Sequence, residues 1–301
     1  MVKLKADFLA DWLDYLRTRL IQDGWSVVEV ERLSDSAVAP SFFEAHRRKL
    51  AHRPRVLKIA DNFQCPATDL AGWTALQAKV IAGEDLNPHL SKRHARIHNP
   101  DGLLAEWQVH HFHLGIGPDP RDPSYVSRTN SVVFALVDDH TFCAINVYPH
   151  QTHWEEVDVV ETIHRNWPDI ISRYRVRGVT PAVLNNAQRR ALRKHNGNVL
   201  IGTKDGTVYM PIGGGVAASG NKIECMMEAD YWCTKIQGLQ TSLENELGQL
   251  MPILEQQGYT GENEIEGQLK ITEAGYKVFF PRYSVLANLE INDTPRPTVS
   301  A

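Results

Sequence analysis

Ser131-Val-Val-Phe-Ala-Leu-Val137, Asp138-Asp139-His140 and Thr141-Phe-Cys-Ala-Ile-Asn-Val-Tyr148 form two β-branched and aromatic runs around a short polar break. Runs of this length and composition, bounded by turn residues, predict two antiparallel strands joined by a tight turn. Immediately upstream, Trp107-Gln-Val-His-His-Phe-His-Leu-Gly115 reads as a third strand. Between them, Gly115 to Asn130 is a polar stretch with three prolines, expected to be a long loop. Downstream, Val157, Val160, Ile163 and Trp167 recur at helical spacing, which predicts a helix from Trp154 to Tyr174. Pro168 inside it predicts a kink or two short pieces. The centre of the chain is therefore expected to be a small antiparallel sheet packed on helices.

Further out the pattern is mixed. Phe8, Leu9, Trp12, Leu13, Leu16 and Leu20 give one apolar helical face that stops at Gly24, and Trp25 to Val30 then reads as a strand. Residues 40–52 predict a basic helix, 54–60 a short strand or turn, and 68–82 a helix ended by Gly83. Arg175 to Pro181 reads as a linker, followed by a basic helix over 181–195. Asn198–Gly202 and Thr207–Pro211 predict a hairpin about Asp205-Gly206. A helix over 226–257 and two strands over 264–280 complete the chain. The fold class expected is α+β. Residues 1–100 form an α-rich N-terminal region, 101–177 the sheet-plus-helix core, and 178–301 a second α+β domain.

The histidines mark where chemistry is expected. The chain has 13, and five fall between His110 and His150. Residues two apart on a strand share a face, so His111 and His113 point one way and His110 and Phe112 the other. Imidazole suits acid/base work or metal binding because it titrates near neutral pH; histidines that only satisfy a polar sheet end are the structural alternative. Tyr148 and His150 close the third strand and, with Asn146, could reach the same place. Arg128, with Ser127 and Thr129 beside it, could hold a phosphate or a developing oxyanion, as could Arg121. His153, His164 and Arg165 lie on or near the following helix. Glu106, Asp138 or His150 could complete a metal site, but no HExxH or HxHxDH spacing is present, so neither a metal nor any other cofactor is expected.

Bulk properties narrow the classes. A net charge of −4 and a pI near 6.4 give no global argument for nucleic acid, so such a site must be a local patch. Lys92-Arg-His-Ala-Arg-Ile-His98 is one candidate, with Lys92, Arg93 and Arg96 as phosphate-backbone contacts. Gln188 to His195 is a second basic surface. Gly213-Gly-Gly-Val-Ala-Ala-Ser-Gly220 lacks the Gly-Lys-Ser/Thr of a Walker loop, yet its amides could cradle an anion. Cys65, Cys143, Cys225 and Cys233 form no CxxC pair, and no GxSxG elbow, kinase set or catalytic-cysteine signature occurs. The N-terminus has no signal-peptide core and no apolar run reaches membrane-span length, so a cytoplasmic protein without membrane contact is expected.

Trp107–His113, Arg128, the strand pair Ser131–Val137 and Thr141–Tyr148, and the helix through His164-Arg-Asn-Trp-Pro168 resemble the core of the RelE/ParE-like (BECR-type) ribonuclease toxins. The resemblance covers residues 105–174. It implies a metal-independent endoribonuclease of toxin or phage-defence type that activates an RNA 2′-hydroxyl against the adjacent phosphate. By the same resemblance His111 or His113 would be general base or acid, Arg128 would stabilise the phosphorane-like charge, and Tyr148 or His150 would assist proton transfer. RNA is then the expected partner, with an antitoxin or another protein as a further one. Such toxins are about a hundred residues long and basic, whereas this chain is three times longer and acidic. The alternatives are a metal-dependent hydrolase or nuclease with His111 and His113 as ligands, and a non-enzymatic binding or scaffolding protein.

Overall fold

The computed structural model describes residues 2–92, 96–97, 101–150, 158–182 and 184–290. The helices are α1 (Phe8–Gln22), α2 (Val27–Glu31), α3 (Asp35–Arg48), α4 (Leu70–Ala82), α5 (Gly102–Trp107), α6 (Asp158–Asn166), α7 (Pro168–Ile171), α8 (Asn186–Lys194) and α9 (Ile223–Gln256). The first seven strands are β1 (Lys3–Lys5), β2 (Val56–Ile59), β3 (Val109–His113), β4 (Pro118–Asp119), β5 (Asp122–Val126), β6 (Ser131–Val137) and β7 (Thr141–Pro149). The rest are β8 (Arg175–Val176), β9 (Ile201–Gly202), β10 (Val208–Tyr209), β11 (Glu264–Glu266), β12 (Gln268–Thr272), β13 (Gly275–Phe280) and β14 (Val285–Leu289). This is an α+β fold. Among the described residues, no helix is long and apolar enough to cross a membrane.

Contacts divide the chain into two compact units: the residues up to Phe43 with those from Cys225 onward, and Glu44–Glu224. In the first, Asp7 caps α1 by accepting the Ala10 N–H at 2.9 Å, and Phe8, Trp12, Leu13, Leu16 and Leu20 form its buried face. The Asp11 carboxylate accepts the Leu269 N–H at 2.6 Å and ties α1 to β12. β12, β13 and β14 form an antiparallel meander, and β1 pairs in parallel with β11.

The second unit is built on a four-stranded sheet of order β2-β7-β6-β3. β3, β6 and β7 are antiparallel, and β2 joins β7 in parallel. One face packs Val109, Val132, Phe134, Leu136, Cys143 and Ile145 against Val159, Val160 and Ile163 of α6, Ile171 of α7, and Ile201 and Tyr209 of the small β8-β10-β9 sheet. The other packs Phe112, Leu114, Val133, Ala135 and Phe142 against Trp73, Leu76 and Val80 of α4. With both faces covered, each buried Phe, Leu or Val contributes about 1.5–3 kcal/mol, so the register of this hairpin is strongly fixed.

Several elements differ from the sequence expectation. Val27–Glu31 is a helical turn, not a strand. Among the described residues it pairs with no strand, and its backbone bonds locally, with Val30 N–H donating to Ser26 C=O at 2.9 Å. Trp107 ends α5 instead of starting a strand. Asp101 caps that helix, and Gln108 leaves it in the left-handed conformation at φ 55°. The expected loop 115–130 contains the β4–β5 hairpin, whose turn is held by Asp119 accepting the Arg121 and Asp122 N–H groups. Arg175–Val176, expected as linker, pairs with β10. Asn166 ends α6 and Pro168 opens α7, so the proline divides the helix in two; the expected start at His153 and Trp154 lies outside the described residues.

Candidate functional site

β3 is an edge strand, and its register sets His111 opposite Phe134 and His113 opposite Val132 on β6. Both therefore share the Val109 face, as their spacing requires. The end of β7 brings a third ring. His150 is fixed by its N–H donating to Asn130 C=O at 2.6 Å, and its ring centroid lies 4.8 Å from that of His113 and 6.4 Å from that of His111. The His111 and His113 centroids are 6.5 Å apart. His150 is exposed, His111 half-buried and His113 only 2% exposed.

Arg128 completes the group. Its Nη1 donates to the Leu90 carbonyl at 2.8 Å, and the guanidinium lies 5.1 Å from the Tyr125 ring centroid. These contacts orient it by charge-assisted hydrogen bonding and cation–π attraction. Its Nη2 is buried and has no hydrogen-bond partner among the described residues. A buried cationic N–H without an acceptor costs about 1–3 kcal/mol or more, a cost that an acceptor brought to it would offset. A cleft of about 580 Å³ is lined by His113, His150, Arg128, Lys92, Thr129 and Asn130. Lys92 is held at its edge by Asp119 at 2.8 Å.

The Thr129 N–H donates to His113 Nδ1 at 3.3 Å, which leaves the proton of the neutral ring on Nε2. Burial, the Arg128 charge, and then His150 and His111 bring His113 down to about 3, so its ring is neutral at ordinary pH. Burial likewise pushes Arg128 below the ordinary arginine range. Both shifts have the same first cause, the loss of water around a group whose charged form needs it; Asp119, Tyr125 and Asp122 pull Arg128 back up.

His89 was not visible as a site residue in the sequence. It is 1% exposed, donates from Nδ1 to the His113 carbonyl at 2.8 Å, and has Nε2 3.3 Å from Lys79 Nζ. It braces the end of β3 from beneath. Its sequence context, Asn87-Pro-His89, carries no signal for that role.

The other expected residues are distributed less tightly. Tyr148 lies opposite Val132 and stacks on Phe134 at 4.8 Å, on the histidine face but outside the cleft lining. Asn146 accepts the Gln64 N–H at 2.9 Å and braces a loop. Arg121 and Arg96 are exposed, and neither lines the cleft. Arg93 lies outside the described residues. His164 sits between Tyr209 (2.8 Å) and Asp205 (3.1 Å), and Arg165 pairs with Asp61 at 2.7 Å through two bonds. Of the carboxylates considered as metal ligands, Glu106 pairs with Arg193, and Asp138 accepts the His140 and Thr141 N–H groups at 2.7 Å. Among the described residues, no group of three or more His, Cys, Asp or Glu is arranged to hold a metal ion. In the glycine segment the amides of Gly213, Gly214 and Gly215 donate to the carbonyls of Glu106, Pro211 and Ala105, so they do not form an anion cradle.

No family model matches the chain, and comparison with curated proteins and with solved structures returns no match.

Proposed function

We propose that this protein is a metal-independent endoribonuclease whose reacting groups are His113, His150 and Arg128. The observation that carries the reading is the buried, unpartnered Arg128 Nη2 in the same cleft as two imidazoles 4.8 Å apart. A phosphodiester supplies what that arrangement lacks, a negative charge beside two proton-transfer groups.

In the proposed reaction the scissile phosphate sits on Arg128 Nη2, with Lys92 at the cleft edge. The exposed His150 takes the proton of the 2′-hydroxyl as its oxygen attacks phosphorus. Once the bound phosphate has restored a proton to its ring, His113 gives it to the leaving 5′-oxygen. The products are a 2′,3′-cyclic phosphate and a free 5′-hydroxyl, and each histidine ends in the protonation state from which the other began. His111, half-buried and 6.4 Å from His150, orients that ring. Tyr148 packs against Phe134 on the same face of the sheet and takes no part in proton transfer. The cytoplasm, where such an RNA substrate is found, is the compartment that fits this reading.

The test is cleavage of single-stranded RNA by EDTA-treated protein, with the 2′,3′-cyclic phosphate end identified. Loss of acid/base catalysis typically costs about 10²–10⁴-fold in rate, which is the drop expected for His113→Ala and for His150→Ala. Activity that needs a divalent metal, or that survives both substitutions, overturns the reading.

A further inference from the structure

The β12–β13–β14 meander belongs to the unit that joins the residues up to Phe43 with those from Cys225 onward, and its two faces are unlike. Strand alternation sends Leu269, Val278, Phe280 and Val285 to one side, where all four are buried. On that side Trp232 of α9 meets Tyr276, with ring centroids 6.5 Å apart. The opposite face carries Gln268 and Lys270 of β12, Lys277 and Phe279 of β13, and Leu286 and Asn288 of β14. Lys270, Asn288 and Leu286 are exposed, Leu286 at 52%, and the other three are half-buried.

The register sorts this face into two rows. Lys270, Lys277 and Asn288 are cross-strand neighbours in one, and Gln268, Phe279 and Leu286 in the other. Neighbouring strands lie about 4.8 Å apart, so each row is about 10 Å wide, and the rows are about 7 Å apart along the strands. Lys270 and Lys277 are therefore directly opposite, with Cβ atoms about 5 Å apart, and like charges in that position destabilise a strand pair. No strand position on this face is a carboxylate: Glu273 lies in the β12–β13 turn and Glu290 follows β14. Among the described residues neither lysine makes an ion pair. Asp11, which feels the Lys270 charge, accepts the Leu269 N–H, and Glu266 of β11 accepts from Gln268 Nε2 at 3.4 Å.

An anion between the two lysines would relieve their repulsion, and Phe279, two positions from Lys277, offers a planar apolar contact beside it. A polymer that alternates negative charge with flat rings matches both features. We infer that the outer face of this meander binds single-stranded nucleic acid, with a base stacked on Phe279 and the flanking phosphates on Lys270 and Lys277. Gln268 and Asn288 supply amides to the base edges. A second copy of this chain is a poor occupant, because a two-fold contact through this face brings four lysines together. An acidic peptide neutralises the lysines but carries no planar ring that must sit on Phe279. The face shares no residue with the histidine cleft, so the inference goes beyond the ribonuclease reading and stands or falls separately from it.

The experiment titrates the full chain, Phe279→Ala, Phe279→Trp and Lys270→Gln/Lys277→Gln with a labelled single-stranded DNA of about a dozen nucleotides, which has no 2′-hydroxyl to react, over a range of salt concentrations. Phe279→Ala is expected to lose at least about fivefold in affinity, the lower end for one stacked base, with its salt slope unchanged. Phe279→Trp, which keeps the stacking surface, is expected to bind as the parent does. The double lysine variant is expected to lose about 1.4 of log–log salt slope, at about 0.7 for each phosphate contact. The same losses in an Arg128→Met background would assign them to this face and not to the histidine cleft; losses that vanish there overturn the inference. Parent affinity and slope in both Phe279→Ala and the lysine variant overturn it too. So does a duplex of the same length bound as tightly as the single strand, or variants that lose poly-glutamate or phosphatidylserine vesicles but keep the DNA.

Discussion

An anion entering the histidine cleft must recharge His113. The ring is neutral at ordinary pH because burial, Arg128 and the neighbouring histidines hold it at about 3. One negative charge about 4 Å away, at an effective dielectric constant of about 20, favours the imidazolium by about 4 kcal/mol. At about 1.4 kcal/mol per decade, that is roughly a thousandfold gain in proton affinity, enough to bring His113 back toward neutral pH. Sulfate is the suitable probe because it does not itself titrate in this range. Calorimetry at about pH 5, in two buffers of different ionisation enthalpy, should show close to one proton taken up per sulfate bound. The uptake should vanish in His113→Gln, persist in His150→Gln, and fall toward zero at about pH 8. Sulfate binding without proton uptake, or uptake unchanged in His113→Gln, would refute the electrostatic reasoning; a cleft that binds no sulfate would refute the anion site itself.

Two stability measurements follow from the same structure. Because His113 is depressed in the folded state, the unfolded chain binds more protons as pH falls from about 6.5 toward 3, so stability present above that range is lost on acidification, by up to about 1.4 kcal/mol per pH unit. His89 is lowered by burial and acts in the same sense; urea unfolding at several pH values should show a slope shallower by about one proton in His113→Gln, and an unchanged slope contradicts the burial argument. Breaking the Glu106–Arg193 pair, whose side chains are 9% and 10% exposed, removes the carboxylate from the guanidinium over Trp107; Glu106→Gln should cost about 3–5 kcal/mol in chemical denaturation, and a loss under about 1 kcal/mol would mean the pair is solvated.

The parts of this fold that sequence exposes are those governed by local periodicity. The apolar runs 131–137 and 141–148 are strands because alternate residues meet two different cores, and the face shared by His111 and His113 follows from the same period of two. The α1 and α4 faces are legible for the corresponding reason at period 3.6. Elements decided by partners were not legible. Val27–Glu31 has strand composition but no sheet beside it. The strand at Val56–Ile59 falls within the 54–60 short strand or turn that the sequence suggests, but its parallel pairing with β7 is set by the sheet and not by its own pattern. The cleft divides in the same way. His111, His113, Arg128 and His150 stood out by residue type and proximity. The Thr129 amide that selects the His113 tautomer is a backbone group, which no residue type announces, and His89 acts through a carbonyl 24 positions away. Arg121 and Tyr148 were near in sequence but do not line the cleft: Arg121 belongs to a hairpin turn, and Tyr148, on the histidine face, packs against Phe134.

The most direct measurement of the central claim is the single-turnover rate of RNA cleavage in EDTA for the parent chain, His113→Gln and Arg128→Met. The account predicts cleavage by the parent to a 2′,3′-cyclic phosphate, a fall of at least about a hundredfold in each variant, and folded-state spectra unchanged in both. Parent-level cleavage by either variant, or no cleavage by the parent under these conditions, would contradict it.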